Sequence, residues 1–202
     1  MKSINFKKAT LILSSMFLGA SLYLIGESAF DFLGSLNSKD LAKVELDLRK
    51  NIENLKSEYE VKTSVIRKKD AITVRILDKG LFSTSDWRFS KKGKSFIEDF
   101  VSSLDKIKKP QEIKIDSHYD STDPVTKNNV EFSRTKLSNY RAVQIANVFA
   151  NKGFDIEKIS YRGLADKVPV VNDRDNEGAY IAKAGDLNRR LEITFKMKSE
   201  KL

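Results

Sequence analysis

The spacing of apolar residues changes period at residue 60, and that change narrows what the chain can fold into. Leu41, Val44, Leu48, Ile52, Leu55 and Tyr59 recur every three or four residues. They form one narrow seam on a helix whose other faces carry Lys, Glu, Asp and Asn. Ser38 stands where an N-cap would start that helix. From Val61 the repeat drops to two. Val61, Thr63 and Val65 alternate with polar neighbours, Lys68-Lys69-Asp70 supplies a turn, and Ile72, Val74 and Ile76 alternate again. That is the pattern of a β-hairpin with one apolar face, and an isolated hairpin is at best marginally stable in water. More sheet and a covering layer must follow.

They do follow. After Gly80, a loop opening with Leu81-Phe82 holds the only tryptophan, Trp87. Ser90 then caps a helix in which Phe96, Ile97, Phe100, Val101 and Leu104 make one wide buried face. Past Pro110, Ile113 and Ile115 mark a short strand running into Ser117-His118-Tyr119-Asp120, and a polar loop extends to about Ser133. A second helix carries Leu137, Tyr140, Val143, Ile145, Val148 and Phe149 and stops at Gly153, a natural glycine for the position after a helix. Ile156, Ile159 and Tyr161 lead a strand to Gly163. A long polar loop follows, and Leu191, Ile193 and Phe195 alternate in the last strand. The order strand-strand-helix-strand-helix-strand-loop-strand predicts an α+β fold, a mixed β-sheet with helices packed on one face.

The first residues set the compartment. Lys2, Lys7 and Lys8 precede an uncharged run from Ala9 to Gly26. Eighteen residues of helix rise about 27 Å, close to the roughly 30 Å hydrocarbon thickness of a bilayer. Leading positive charge keeps the N-terminus in the cytoplasm and exports what comes after. A retained anchor and a cleaved signal peptide both fit. The length of the run and the lack of a clear small-x-small site after it favour the anchor. The chain therefore divides into a cytoplasmic N-terminus (1–8), a transmembrane signal-anchor helix (9–33), a connecting helix (34–59) and an exported domain (60–202), as a single-pass membrane chain. Glu27 and Asp31, one helical turn apart among Phe30, Phe32 and Leu33, are candidates for an ion pathway if they lie inside the bilayer. Otherwise they sit in water at the outer interface. The narrow seam of residues 41–59 suits pairing with a second copy, hence a homodimer, or packing on its own domain.

Composition excludes more than it selects. The net charge is +9, but 37 Lys and Arg are interspersed with 28 Asp and Glu and form no long basic block. Together with export and the lack of a recognition motif, this argues against nucleic acid. With no cysteine and one histidine, His118, neither a metal set nor a nucleophile–base relay can be assembled. Alone, the imidazole reads as a loop hydrogen-bonding group. Asp116, Asp120 and Asp123 lack the glycine and terminal glutamate of an EF-hand loop. No glycine-rich phosphate loop is present. No enzyme, cofactor or metal is expected.

From Asp120 onward the landmarks fall in a specific order. The chain reads Ser117-His118-Tyr119-Asp120, Leu137-Ser138-Asn139-Tyr140-Arg141-Ala142, Lys152-Gly153-Phe154, Gly163-Leu164-Ala165, Pro169 and Asn188-Arg189-Arg190-Leu191-Glu192-Ile193. Over about residues 71 to 197 this resembles the OmpA-like peptidoglycan-binding family. That family's pattern is a strand, Gly-His/Tyr-Thr-Asp, a polar loop, Leu-Ser-x-x-Arg-Ala on a helix, a glycine and strand, and Asn-Arg-Arg-x-Glu-Ile on the last strand. Ser117 and Tyr119 depart from it. The 21-residue step from Asp120 to Arg141 and the N-terminal order of parts are similar to the MotB-like branch.

The resemblance implies a binding module for the free end of diaminopimelate in the peptidoglycan stem peptide. That end is a zwitterion, so it needs a fixed carboxylate for its ammonium and a planar guanidinium for its carboxylate. By resemblance, Asp120 takes the first role and Arg141 the second. His118, Tyr119 and Arg189 are further members of the site, with Arg190 facing solvent and Asn188 fixing a loop. The resemblance also implies that the single-pass anchor lies in a bacterial inner membrane with the domain in the periplasm, where such a module serves as the wall anchor of an envelope complex. The alternative is a stator-type subunit of an ion-driven flagellar motor, which would require a multi-span membrane partner.

Overall fold

A computed structural model describes residues 41–83, 86–104, 110–123 and 133–197. Helix α1 covers 41–59, followed by strands β1 (Thr63–Arg67) and β2 (Ala71–Leu77). Then come α2 (Lys91–Ser103), β3 (Glu112–His118), α3 (Arg134–Asn151), β4 (Ile159–Ala165), α4 (Ala182–Asn188) and β5 (Arg190–Lys196). The five strands form one mixed sheet in the order β1-β2-β5-β3-β4. Strands β3 and β4 are parallel, and the other pairs are antiparallel. The α+β architecture is the one the periodicity predicts.

The alternation of each strand sorts the sheet into two faces. On the inner face Val65, Val74, Ile193 and Ile115 stand side by side across β1, β2, β5 and β3, and Ile72, Phe195 and Ile113 form the next row. Helices α2 and α3 meet over Phe195: Phe100 and Phe149 each bring their ring centroids to 6.4 Å from it. Phe96, Phe100 and Phe149 are fully buried, and each such side chain contributes about 1.5–3 kcal/mol by leaving water. The seam of α1 is buried in this same core, Leu41, Val44, Leu48, Ile52 and Leu55 among them. Tyr59 lies edge-on to Phe96 at 5.8 Å. The compact unit accordingly begins at Leu41, ahead of the change of period at residue 60.

The expected Ser90 cap forms, its hydroxyl accepting from the Gly93 N–H. At the start of α3 the Ser133 hydroxyl accepts from the Lys136 N–H, a cap at the end of the stretch read as polar loop. Gly153 takes φ +85° after α3. The outer face of the sheet is charged: Arg75, Glu192, Asp116 and Arg162 lie in one row across four strands. Both sheet edges have helical partners. On β1 the Val65 carbonyl accepts from Arg49 of α1 at 2.8 Å. On β4 the Gly163 N–H donates to Asn139 Oδ1 at 2.7 Å, and the Ala165 N–H donates to Ser138 Oγ at 3.2 Å. Such pairing blunts an otherwise open edge.

One element departs from the expected order. Helix α4 lies in the stretch read as loop, where seven residues carry no apolar period and Ile181 supplies no side-chain cap. Among the described residues no helix is long and apolar enough to cross a membrane. The expected segment 9–33, with Glu27 and Asp31, lies outside the described residues, as do Ser38 and the first residues of the connecting helix.

Candidate functional site

Strand β3 ends in an irregularity that aims the site. Its register with β4 shifts between Ser117 and His118, so that His118 lies opposite Ala165. Ala165 adopts φ +50°, unusual for a residue with a side chain, and its carbonyl accepts from the Tyr119 N–H at 2.8 Å. A bulge of this kind ends pairing and redirects the chain. It carries Tyr119 and Asp120 off the sheet toward α3, α4 and the loop after β2.

Asp120 has no exposed surface. Its Oδ1 accepts from the Thr122 N–H at 3.1 Å and from the Thr122 hydroxyl at 2.6 Å. Its Oδ2 accepts from the Tyr180 hydroxyl and from Arg189 Nη1. The segment from Asp173 to Arg189 straps this carboxylate down. Asp173 accepts from the Ser121 N–H at 2.9 Å, and Arg174 Nε donates to the Ser121 hydroxyl at 2.9 Å. Arg189 Nη2 donates to Asp186 of α4, so one guanidinium spans two carboxylates. Burial pulls the Arg189 pKa down, but the negative charge of Asp120 and the Tyr180 hydrogen bond outweigh it and the group is raised above its ordinary value. The Tyr180 hydroxyl is raised by burial and by its bond to Asp120.

Arg141 is equally engaged. From α3 its Nη1 donates to Asp78 at 2.6 Å and its Nε donates to the Asp86 carbonyl at 3.0 Å. The guanidinium lies 4.6 Å from the centroid of the Phe82 ring and 5.5 Å from that of Tyr119, cation–π distances that fix its plane. The Asp86 turn is itself rigid. Its carboxylate accepts from the N–H groups of Trp87 and Arg88 and from the Arg88 guanidinium, whose bonds hold the Asp86 carboxyl below its usual range.

These groups surround one cavity of about 340 Å³ lined by Asp78, Lys79, Phe82, Tyr119, Arg141, Asp186 and Arg189, among others. Both signs of charge line a small space beside two aromatic rings, which is the chemistry of a site for a small zwitterion. The structure brings Tyr119, Arg141 and Arg189 together on this cavity, with Asp120 buried behind Arg189. Asp120 and Arg141 are not partners of one another: each holds an opposite charge from elsewhere in the fold.

His118 points elsewhere. It is buried on the outer face of the sheet beside Arg190, and neither ring nitrogen has a hydrogen-bond partner. The reading of it as a loop hydrogen-bonding group is therefore corrected. Burial and the adjacent Arg190 push its pKa down to about 4. Arg190 does not face solvent, being only 3% exposed. It donates to Glu192 and to the carbonyls of Asn188 and Val168, spanning the sheet and the long loop. Asn188 fixes that loop by accepting from the N–H groups of Val170 and Val171. Asp116 is bound by Arg162 and Lys114 on the sheet face, apart from Asp120. Among the described residues no group of three or more acidic or histidine side chains is placed to hold a metal ion.

Three site residues carry no signal of their own in the sequence. Asp78 and Asp186 are surface-type acids among many, and Tyr180 lies in an aperiodic stretch. Only their convergence on Arg141, Arg189 and Asp120 marks them.

The model of the OmpA family matches residues 81–182, just over half of the chain. The chain belongs to the OmpA family. Solved structures share this OmpA-family fold. A MotB-like protein from Desulfovibrio vulgaris aligns over 81% of this chain and 96% of its own at 16% identity, with a TM-score of 0.64. The cell wall anchor of the T6SS from Pseudomonas aeruginosa aligns over 74% and 96% at 22% identity and a TM-score of 0.59. The periplasmic domain of Helicobacter pylori MotB aligns over 68% and 83% at 17% identity and a TM-score of 0.56. At these identities the likeness is one of fold. No curated protein matches this OmpA-family chain in sequence.

Proposed function

We propose that this domain binds peptidoglycan without covalent chemistry, by receiving the free end of diaminopimelate in the cavity between Arg141 and Arg189. The observation that carries the reading is the cavity itself: buried Arg141, held flat by Phe82 and Tyr119, stands within one small space with Arg189 and two acids. A guanidinium in that setting presents a planar fork to a carboxylate with little ordering left to lose on binding. Arg141 meets the ligand carboxylate, Asp120 is the acid for the ammonium, and Tyr119 walls the site. The fold it shares with a cell wall anchor and a MotB periplasmic domain supports the reading.

The rest of the assignment extends this reading. Residues 9–33 anchor the chain in the inner membrane, the domain lies in the periplasm, and the protein acts as the wall anchor of an envelope complex, as a homodimer.

Co-sedimentation of the full chain with purified sacculi tests the binding. The wild type is expected in the pellet, and Arg141→Ala and Asp120→Ala in the supernatant, with circular dichroism confirming that both variants fold. Pelleting of both variants like wild type would refute the site. A wild-type chain that stays soluble would refute the function.

A further inference from the structure

We propose that Arg189 is an internal stand-in for the ligand's ammonium, and that the wall peptide enters by exchanging partners with it; the inference rests on the reading of the cavity given above. In the free domain every oxygen of Asp120 is in use. Thr122 takes Oδ1, while Tyr180 and Arg189 take Oδ2, with no surface left exposed. An arriving ammonium therefore meets a cation already in place.

Arg189 is built to yield that position without leaving the site. Its side chain is 27% exposed and lines the cavity. Its second terminal nitrogen holds Asp186, whose side chain is 42% exposed on α4. A guanidinium carries five N–H donors in one rigid plane. A side-chain rotation that withdraws Nη1 from Asp120 leaves Nη2 on Asp186. Asp186 is thus a positioning residue that retains Arg189 during the exchange. Tyr180 bridges the two states: its hydroxyl donates to Asp120 and accepts from Arg189 Nη1 at 2.9 Å.

The consequence is selectivity for a ligand carrying both charges. A zwitterion places its ammonium on Asp120 and its carboxylate between Arg141 and the released edge of Arg189, so Asp120 and Arg189 each regain a partner of opposite charge after the exchange. A simple amine displaces Arg189 from Asp120 and gives the guanidinium nothing in return. A simple carboxylate has to compete with Asp120 for Arg189. Specificity here arises from the mismatch left by the wrong ligand as much as from attraction to the right one.

Isothermal titration calorimetry on the full chain tests this with two synthetic probes. One is the stem tripeptide L-Ala-γ-D-Glu-meso-diaminopimelate, and the other is the same tripeptide ending in L-lysine, which keeps the ammonium and lacks the second carboxylate. Wild type is expected to prefer the first. In Arg189→Gln that preference is expected to fall by about tenfold or more, the worth of one charge-assisted hydrogen bond, with the lysine peptide binding tighter than it does to wild type. Asp186→Asn, at an exposed position that tolerates the change, is expected to weaken the diaminopimelate peptide severalfold in the wild-type background and to have no further effect in Arg189→Gln. An unchanged preference in Arg189→Gln, or an Asp186→Asn effect that is absent or simply additive, would overturn the exchange while leaving the binding site intact. Wild type that binds neither peptide would remove the underlying reading, and the exchange with it.

Discussion

A β-carbon on Gly185 would lie 1.9 Å from the hydroxyl oxygen of Tyr180. Glycine at this position of α4 leaves the space through which Tyr180 reaches Asp120. In an ordinary helix interior, alanine in place of glycine stabilises by about 0.5–1 kcal/mol. Here the sign is expected to reverse. Gly185→Ala drives the Tyr180 ring away and breaks its hydrogen bond to the buried Asp120 carboxylate, whose Oδ2 keeps only Arg189, at a cost of about 1.5–3 kcal/mol for a bond to a charged group. Chemical denaturation of the variant beside wild type reads the sign directly, and a stabilised Gly185→Ala would contradict the packing described.

Gly163 marks a second close approach, between β4 and α3. A β-carbon there would come within 2.2 Å of the backbone nitrogen of Asn139, and a backbone atom cannot rotate aside. Gly163→Ala is expected to push the edge strand outward and to break the bonds from the Gly163 and Ala165 N–H groups to Asn139 and Ser138. A loss of about 2 kcal/mol or more follows, with faster amide exchange confined to β4. Exchange at β4 that matches wild type would show that the strand had not moved.

How far the sequence foretold this site depends on the kind of information each part carries. Ser90 and Gly153 are local signals, and the sheet alternation is a periodic one, so those helix ends and the layers are readable. Arg141 and Asp120 stood out through an ordered set of motifs. Their partners did not. That Arg189 rather than Arg141 faces Asp120, and that Asp78 holds Arg141, depends on the bulge at Ser117/His118 and on the strap through α4. Both are tertiary features without a period. His118 shows the same limit: a polar residue at a strand end reads as a hydrogen-bonding group, yet the sheet twists it under Arg190 with neither nitrogen bonded.

That imidazole gives a pH signature. Its folded pKa lies at about 4 against an ordinary 6.5, lowered by burial and by Arg190, with Arg75 adding to the effect and Glu192 and Asp116 opposing it. Between those values the unfolded chain binds a proton that the folded chain refuses. Stability is therefore complete above about pH 6.5 and falls as the pH drops toward 4. Asp116 and Glu192, both held below their usual range, add their losses further down. The chain has one histidine, so a single imidazole resonance in the NMR spectrum reports it. It is expected to remain neutral through pH 5, and replacement by leucine is expected to flatten the stability profile between pH 6.5 and 4. Titration near 6.5 in the folded protein would contradict the buried placement.

The most direct test of zwitterion recognition is release from the wall by the free ligand. Full-length protein bound to sacculi is titrated with meso-diaminopimelate and, in parallel, at equal ionic strength, with 1,5-diaminopentane, which keeps the two ammonium groups and has no carboxylate. Diaminopimelate is expected to bring the protein into the supernatant at concentrations where the diamine leaves it in the pellet. Equal release by both compounds, or retention in the pellet at saturating diaminopimelate, would contradict recognition of the zwitterion by Arg141, Arg189 and Asp120.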